Sequence, residues 1–152
     1  MATIIIPIYN EEKRIQESIR LLLTNPESIN YSFLIVDDKS TDNTIKIAQD
    51  TIASFKHVDI TIILNNKRVG KGATISQTIR DLKDDSVVFM DVDLPNNLND
   101  VKNMLSELEN GYNIVIASRY LSDSKAKRAL FRDLLSIFHN QILMRLIFNS
   151  KI

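Results

Sequence analysis

The chain has 152 residues, enough for one domain with a substantial buried core. Its hydrophobic content of 44% and charged content of 25% are ordinary for a soluble globular protein. The 19 basic and 19 acidic residues cancel, so no net positive charge favours nucleic acid, and the absence of cysteine excludes disulfides, thiolate zinc sites and a cysteine nucleophile. The first residues lack the features of a signal peptide, and no stretch holds the ~18 uncharged apolar residues of a membrane span. We therefore expect a soluble chain that can still touch a membrane.

Short apolar runs alternate with segments of helical periodicity along most of the chain. The predicted strands are residues 3–6, 33–36, 60–64, 87–90 and 114–117. The predicted helices are residues 11–23, 42–53, 73–82 and 98–108, the last followed by a stop at Gly111. Because the strands are continuously apolar, we expect burial on both faces in a mainly parallel sheet flanked by helices. The predicted fold is α/β, doubly wound and Rossmann-like.

The loop after the first strand contains Tyr9, Asn10 and two acids. Asn10 is a suitable N-cap for the next helix, and acids in a first turn favour the helix dipole. Capping does not explain Tyr9, whose ring at the carboxyl edge of a sheet can pack against a nucleobase.

Two acids, Asp37 and Asp38, follow the second strand. Capping accounts for the polar residues 40–43 that come next but not for these two. A carboxylate at a strand end can accept a hydrogen bond from a base N–H or a ribose hydroxyl, as in dinucleotide-binding folds.

The loop after the third strand, residues 65–73, is rich in glycine and cations but lacks the spacing of a phosphate-binding P-loop. A cationic turn that leads into a helix N-terminus suits an anion. A solvated basic loop is the open alternative.

Asp91 and Asp93 stand one residue apart, directly after the fourth apolar run. Ligands of open α/β sheets collect at the carboxyl ends of strands, and two acids there can share a divalent cation with substrate phosphates. The alternative is an ordinary turn, since Asp and Asn are common at strand ends. Arg119, after the fifth predicted strand, adds a cation at the same edge.

Five segments in series carry a resemblance to a known family. They are Pro7-Ile8-Tyr9-Asn10-Glu11, Val36-Asp37-Asp38-Lys39-Ser40-Thr41-Asp42, Gly70-Lys71-Gly72, Asp91-Val92-Asp93 and Ser118-Arg119-Tyr120. Together they resemble family 2 glycosyltransferases of GT-A fold, most of all the dolichyl-phosphate mannose or glucose synthases. The resemblance implies a UDP- or GDP-hexose donor, Mg²⁺ or Mn²⁺, inversion at the anomeric carbon and a polyprenyl (dolichyl) phosphate acceptor.

The resemblance also implies roles for individual residues. The nucleotide-binding set would be Pro7, Tyr9, Glu11, Asp38, Lys71 and Asp91. Asp91 and Asp93 would hold the metal and the donor diphosphate, and with Arg119 they form the predicted catalytic set.

The chain departs from the family pattern in three respects. Two positions after the second acid, where this branch often has a polar residue such as Gln, the chain has Pro95, which leaves the third metal ligand open. The Asp-…-Gly-Phe segment of the polyprenyl-phosphate synthases is absent. The Glu-Asp pair that supplies the catalytic base in relatives that glycosylate hydroxyls is absent too, as is their Gln-x-x-Arg-Trp segment. We therefore expect an N-terminal catalytic fragment.

Residues 1–120 are predicted to form the nucleotide-sugar-binding core, and residues 121–152 a basic segment with an amphipathic helix in the same domain. Arg128 and Arg132, near Lys125 and Lys127, are candidates for holding the acceptor phosphate. A solvated basic face is the alternative for this cluster. The apolar stretch 128–148 is interrupted by charges, so it fits a helix packed on protein or an interfacial helix better than a spanning one.

An acceptor phosphate is largely dianionic at neutral pH, so it can attack the anomeric carbon without a general base. We expect a peripheral enzyme on the cytoplasmic face of a membrane, with an oligomer possible.

Two alternatives stay open: a non-catalytic nucleotide-sugar-binding module, and a phosphohydrolase of the haloacid dehalogenase type. The second is disfavoured because Leu94-Pro95 follows the acid pair, where those enzymes have Gly-Thr.

Overall fold

The computed structural model describes residues 2–55, 57–83, 86–93 and 98–117. All of them belong to one compact unit, Met1–Ala117. Its strands are β1 (Ala2–Ile8), β2 (Tyr31–Asp37), β3 (Asp59–Leu64) and β4 (Val87–Phe89). Its α-helices are α1 (Ile15–Thr24), α2 (Thr44–Ala53), α3 (Lys71–Asp81) and α4 (Leu98–Glu109), and a short 3-10 helix spans Pro26–Asn30.

The four strands form one parallel sheet in the order β3-β2-β1-β4. Ile8 at the end of β1 lies opposite Asp37, and Asp37 lies opposite Leu64 at the end of β3. The carboxyl ends of these strands are therefore level, and the loops that follow them start at one edge. The predicted α/β fold with a mainly parallel sheet is confirmed.

The hydrophobic core is built around the central strand β1. Ile4, Ile5 and Ile6 of β1 are almost fully buried, and Ile15 and Ile19 of α1 are buried in the same core. Burial on both faces, as the continuous apolar runs predicted, holds for β1. It fails for β3, which is an edge strand of the described sheet and has alternating exposure.

The prediction of a fifth strand at residues 114–117 was wrong. These residues have no regular secondary structure, and the side chains of Ile114 and Ile116 are each 78% exposed. An apolar run becomes a strand only where another strand offers its backbone, and no strand pairs with this run within the described residues. The predicted helix stop at Gly111 is confirmed: its φ of 101° is left-handed, and its N–H donates to Leu108 O at 3.0 Å.

In the described part of the chain, no helix combines the length and apolarity needed to cross a membrane. The basic segment and the apolar stretch of residues 121–152 lie outside the described residues. So do the predicted site residues Arg119, Arg128 and Arg132.

Candidate nucleotide and metal site

The loops at the carboxyl edge of the sheet enclose an open cavity of about 350 Å³. Loops after all four strands contribute to it. The lining residues are Pro7, Ile8, Tyr9, Glu11, Arg14, Asp38, Arg68, Gly70, Lys71, Asp91, Val92 and Asp93. Every predicted nucleotide or metal residue within the described range lines this cavity.

Asp38 is the buried acid of the site, only 4% exposed, and its carboxylate is already engaged. Its Oδ1 accepts from the backbone N–H of Val69 at 2.8 Å and from Asn65 Nδ2 at 3.2 Å, and its Oδ2 accepts from Gly70 N at 2.7 Å. Gly70 has a φ of 88°, a conformation that L side chains rarely adopt. Asp38 therefore holds the turn from which α3 starts, in addition to lining the cavity.

The same contacts set the acidity of Asp38. Burial of the carboxylate by itself would raise its pKa. The hydrogen bonds from Val69, Asn65, Gly70 and Thr74 outweigh burial, so the pKa of Asp38 lies below its ordinary value. The group is therefore an anion at neutral pH.

The loops after β1 and β2 are tied together by Asn10. Its φ is 54°, its N–H donates to Ser40 Oγ at 2.9 Å, and its Oδ1 accepts from Thr41 N at 2.8 Å. The expectation that Asn10 caps α1 was wrong, because this left-handed conformation directs its amide to the second loop and α1 begins at Ile15 after Arg14.

Two further acids, at the end of β2 and in the loop after it, hold the local backbone through hydrogen bonds. Asp37 accepts from the backbone N–H of Ser40 at 3.0 Å and from its hydroxyl. Asp42 accepts from Thr44 N at 3.0 Å, and the fully buried Thr44 accepts from Glu11 N at 2.8 Å through its Oγ1. The bond from Glu11 to Thr44 fixes the backbone of the first loop against α2, and the bonds of Asp37 and Asp42 hold the second loop itself.

Two arginines of the cavity were missed by the sequence analysis as site residues. The guanidinium carbon of Arg68 lies 4.0 Å from the centre of the Tyr9 ring, a cation–π contact. Arg14 Nε lies 2.9 Å from Glu11 Oε2. Arg68 stood in a loop already recognised as cationic, whereas Arg14 reads in the sequence as an ordinary helix residue.

Asp91 and Asp93 follow β4 and are exposed to the cavity, as the strand-end position predicted. The ammonium of Lys71, the first residue of α3, contacts Asp91 Oδ1. Among the described residues no group of three or more acidic, His or Cys side chains could hold a metal. Two carboxylates nevertheless fit Mg²⁺ or Mn²⁺, because Mg²⁺ commonly takes one or two carboxylates and completes its shell with phosphate oxygens and water.

Comparison with known proteins identifies relatives of this chain. The family model described as "Glycosyl transferase family 2" matches residues 3–151. The chain is 27% identical over 135 residues to a dolichol-phosphate mannosyltransferase of Pyrococcus furiosus, covering 88% of this chain and 38% of that protein. It is 30% identical over 129 residues to an undecaprenyl-phosphate 4-deoxy-4-formamido-L-arabinose transferase of Shewanella sediminis, covering 83% and 39%. The chain thus spans less than two fifths of the length of either relative.

A solved structure is similar as well. A mannosyltransferase from Pyrobaculum calidifontis, in complex with GDP-Man and Mn²⁺, matches with a TM-score of 0.53 and 26% identity. The match covers 60% of this chain and 27% of that one. With the parallel sheet described above, this similarity identifies the fold as GT-A.

Proposed function

This chain belongs to glycosyl transferase family 2, and on that premise we propose that it transfers a hexose from a UDP- or GDP-hexose to polyprenyl phosphate. The transfer is proposed to depend on a divalent cation and to invert the anomeric carbon. One observation carries the proposal: Tyr9, Lys71, Asp91 and Asp93 line a single cavity at the carboxyl edge of the sheet. An aromatic ring, a cation and an acid pair are the groups that a base, a diphosphate and its metal require.

The donor would lie across this cavity from Tyr9 to Asp93. The ring of Tyr9 offers a stacking face for the base, with Arg68 beside it. Asp38 supports the site by fixing the turn at Gly70, and Lys71 brings positive charge to the diphosphate. Asp91 and Asp93 would hold Mg²⁺ or Mn²⁺, which when bound neutralises the diphosphate as it leaves.

The acceptor side follows from chemistry. A phosphate monoester has a second pKa of about 6, so at neutral pH the acceptor is mostly dianionic and attacks the anomeric carbon directly. The attacking phosphate oxygen forms the new C–O bond as the bond from that carbon to the nucleoside diphosphate breaks. The protein's work is to place two anions together and to offset their charge. Arg119, Arg128 and Arg132 are proposed for part of that work.

A lipid acceptor is supported by two observations. The relatives from P. furiosus and S. sediminis are both named for transfer involving polyprenyl phosphates. Residues 125–132 also contain four cations, at the start of the apolar stretch 128–148. We accordingly propose a peripheral position on the cytoplasmic face of a membrane.

The test is turnover with the full 152-residue chain. Radiolabelled UDP- and GDP-hexoses are incubated with Mn²⁺ and polyprenyl phosphate in vesicles, and labelled lipid is extracted. The Asp91→Asn/Asp93→Asn double variant is the matched control, since it keeps the side-chain size and removes the charge. Labelled lipid with the wild type alone is the expected result. Donor binding without turnover would favour a binding module, and hydrolysis of simple phosphate esters would favour a phosphohydrolase.

A further inference from the structure

The ammonium of Lys71 and the carboxylate of Asp91 form an ion pair across the cavity. Lys71 is the first residue of α3 and Asp91 lies in the loop after β4, 20 positions further along the sequence. Both side chains are about half exposed, 55% for Lys71 and 54% for Asp91. The pair therefore stands at the surface of the cavity, where other ions can reach it.

The backbone of Lys71 is held by its neighbours, whereas its side chain is half exposed. The preceding Gly70 donates its N–H to Asp38 Oδ2 at 2.7 Å and accepts from Thr74 N at 2.9 Å. These bonds fix the first turn of α3. A lysine ammonium on a flexible four-carbon stem can then exchange one anionic partner for another without any shift of the helix.

The ion pair places a cation on one of the two proposed metal ligands. A divalent cation that approaches Asp91 must displace the ammonium, which costs the ion pair, or share the carboxylate with it, which brings two like charges together. An exposed ion pair is a weak competitor, so the opposition amounts to about two- to fivefold in metal affinity.

A diphosphate changes this balance. Its oxygens offer Lys71 a stronger anionic partner than one carboxylate, and the helix N-terminus that begins at Lys71 favours an anion at the same place. When Lys71 turns to the diphosphate, Asp91 is released for the metal. The metal in turn strengthens the diphosphate's hold, so each ligand assists the other.

We propose that Lys71 is an exchangeable counter-cation that couples metal binding to donor binding. With the cavity empty it pairs with Asp91 and disfavours a lone divalent cation, and with donor present it moves to the diphosphate and frees Asp91. This inference rests on the proposed function, in which Asp91 and Asp93 hold the metal.

The test measures Mn²⁺ binding to the full chain, without turnover. Free Mn²⁺ is followed by electron paramagnetic resonance, without nucleotide and with saturating UDP or GDP, for wild type, Lys71→Met and Lys71→Gln. The Mn²⁺ that the nucleotide binds in the absence of protein is measured separately and subtracted. Lys67→Met is the matched control, because it removes the same charge from the same loop but its side chain does not line the cavity. Thermal melting checks that each variant is folded.

The expected result has two parts. Both Lys71 variants bind Mn²⁺ alone about two- to fivefold more tightly than wild type. The gain in Mn²⁺ affinity that nucleotide produces is smaller in them, as reciprocal coupling requires. Lys67→Met behaves as wild type.

Other outcomes would distinguish a failure of the role proposed for Lys71 from a failure of the proposed function. Equal Mn²⁺ affinity and equal nucleotide coupling in wild type and Lys71 variants, with nucleotide binding still Mn²⁺-dependent, would overturn the role of Lys71 and leave the proposed function standing. Equal gains in Lys67→Met would show a general charge effect and also overturn it. Absence of Mn²⁺ binding to every protein, with or without nucleotide, would remove both claims.

Discussion

Asp38, the first residue after β2, accepts a 2.7 Å hydrogen bond from the backbone N–H of Gly70, the residue before α3. A buried carboxylate thus fixes a turn 32 positions away, and that turn carries Lys71 to the cavity. The acid is both a lining group and the support of the loop that supplies a cation.

Substitution of Asp38 should therefore affect stability as well as nucleotide binding. Asp38→Ala leaves the N–H groups of Val69 and Gly70 without this acceptor, and we expect unfolding to become easier by about 1–3 kcal/mol in chemical denaturation. Calorimetry should show UDP or GDP binding weaker by about 1.5–3 kcal/mol, since the loop is displaced or a direct contact is lost. Asp81→Ala, which removes an exposed acid from α3, is the control and should change neither. Unaltered stability and affinity in Asp38→Ala would contradict the assignment.

The lowered pKa of Asp38 predicts a pH dependence. Because the folded pKa lies below the unfolded value of about 3.9, the stabilising contribution is complete above pH ~4 and is lost as pH falls through the folded pKa. The stability gap between wild type and Asp38→Asn should thus be constant from pH 7 to 5 and narrow toward pH 3. Urea denaturation at a series of pH values measures it. A gap that stayed constant down to pH 3 would show that the carboxylate is not held ionised by these bonds.

Tyr9 is predicted to provide the stacking face for the base. Tyr9→Ala should weaken UDP or GDP binding by about 1–3 kcal/mol, the range for stacking of one base on an aromatic side chain. Tyr9→Phe keeps the ring that faces Arg68 and should bind nearly as wild type in the same titration. If both variants bound alike, stacking would not be the role of Tyr9.

The basic cluster predicts salt-sensitive lipid binding. Arg128→Ala/Arg132→Ala should reduce cosedimentation with vesicles that contain polyprenyl phosphate, at about 1 kcal/mol per cation near an anionic surface. Nucleotide binding should be unchanged. Lys102→Ala on α4 is the control for loss of charge. Sedimentation indifferent to lipid composition, salt and these substitutions would remove the lipid acceptor from the proposal.

The sequence predicted the strands and the helix end that depend on patterns among neighbouring residues. The apolar runs of β1, β2 and β4 and the glycine stop after α4 needed only patterns within a few residues. Residues 114–117 carry the same kind of apolar run, yet a strand also needs a neighbouring backbone, which no local pattern reports.

For the site, the positions of the residues could be predicted from the sequence but their contacts could not. That Tyr9, Asp38 and Asp91 would share one edge followed from their positions after parallel strands. The partners they adopt did not follow: Asn10 reads as a cap but joins two loops, and Lys71 reads as a phosphate ligand but contacts Asp91. Those choices depend on side-chain directions that only the assembled loops define.

Asp91 and Asp93 are proposed to hold a divalent cation together with the donor diphosphate, and a single calorimetric titration can test this role. Binding of UDP and GDP is measured by calorimetry with Mn²⁺ and with EDTA, for wild type, Asp91→Ala, Asp93→Ala and the double variant. We predict that one nucleotide binds the wild type far more tightly with Mn²⁺, that Asp91→Ala weakens this effect and that Asp93→Ala abolishes it. Unchanged affinity and unchanged Mn²⁺ dependence in the double variant would show that Asp91 and Asp93 do not hold the metal.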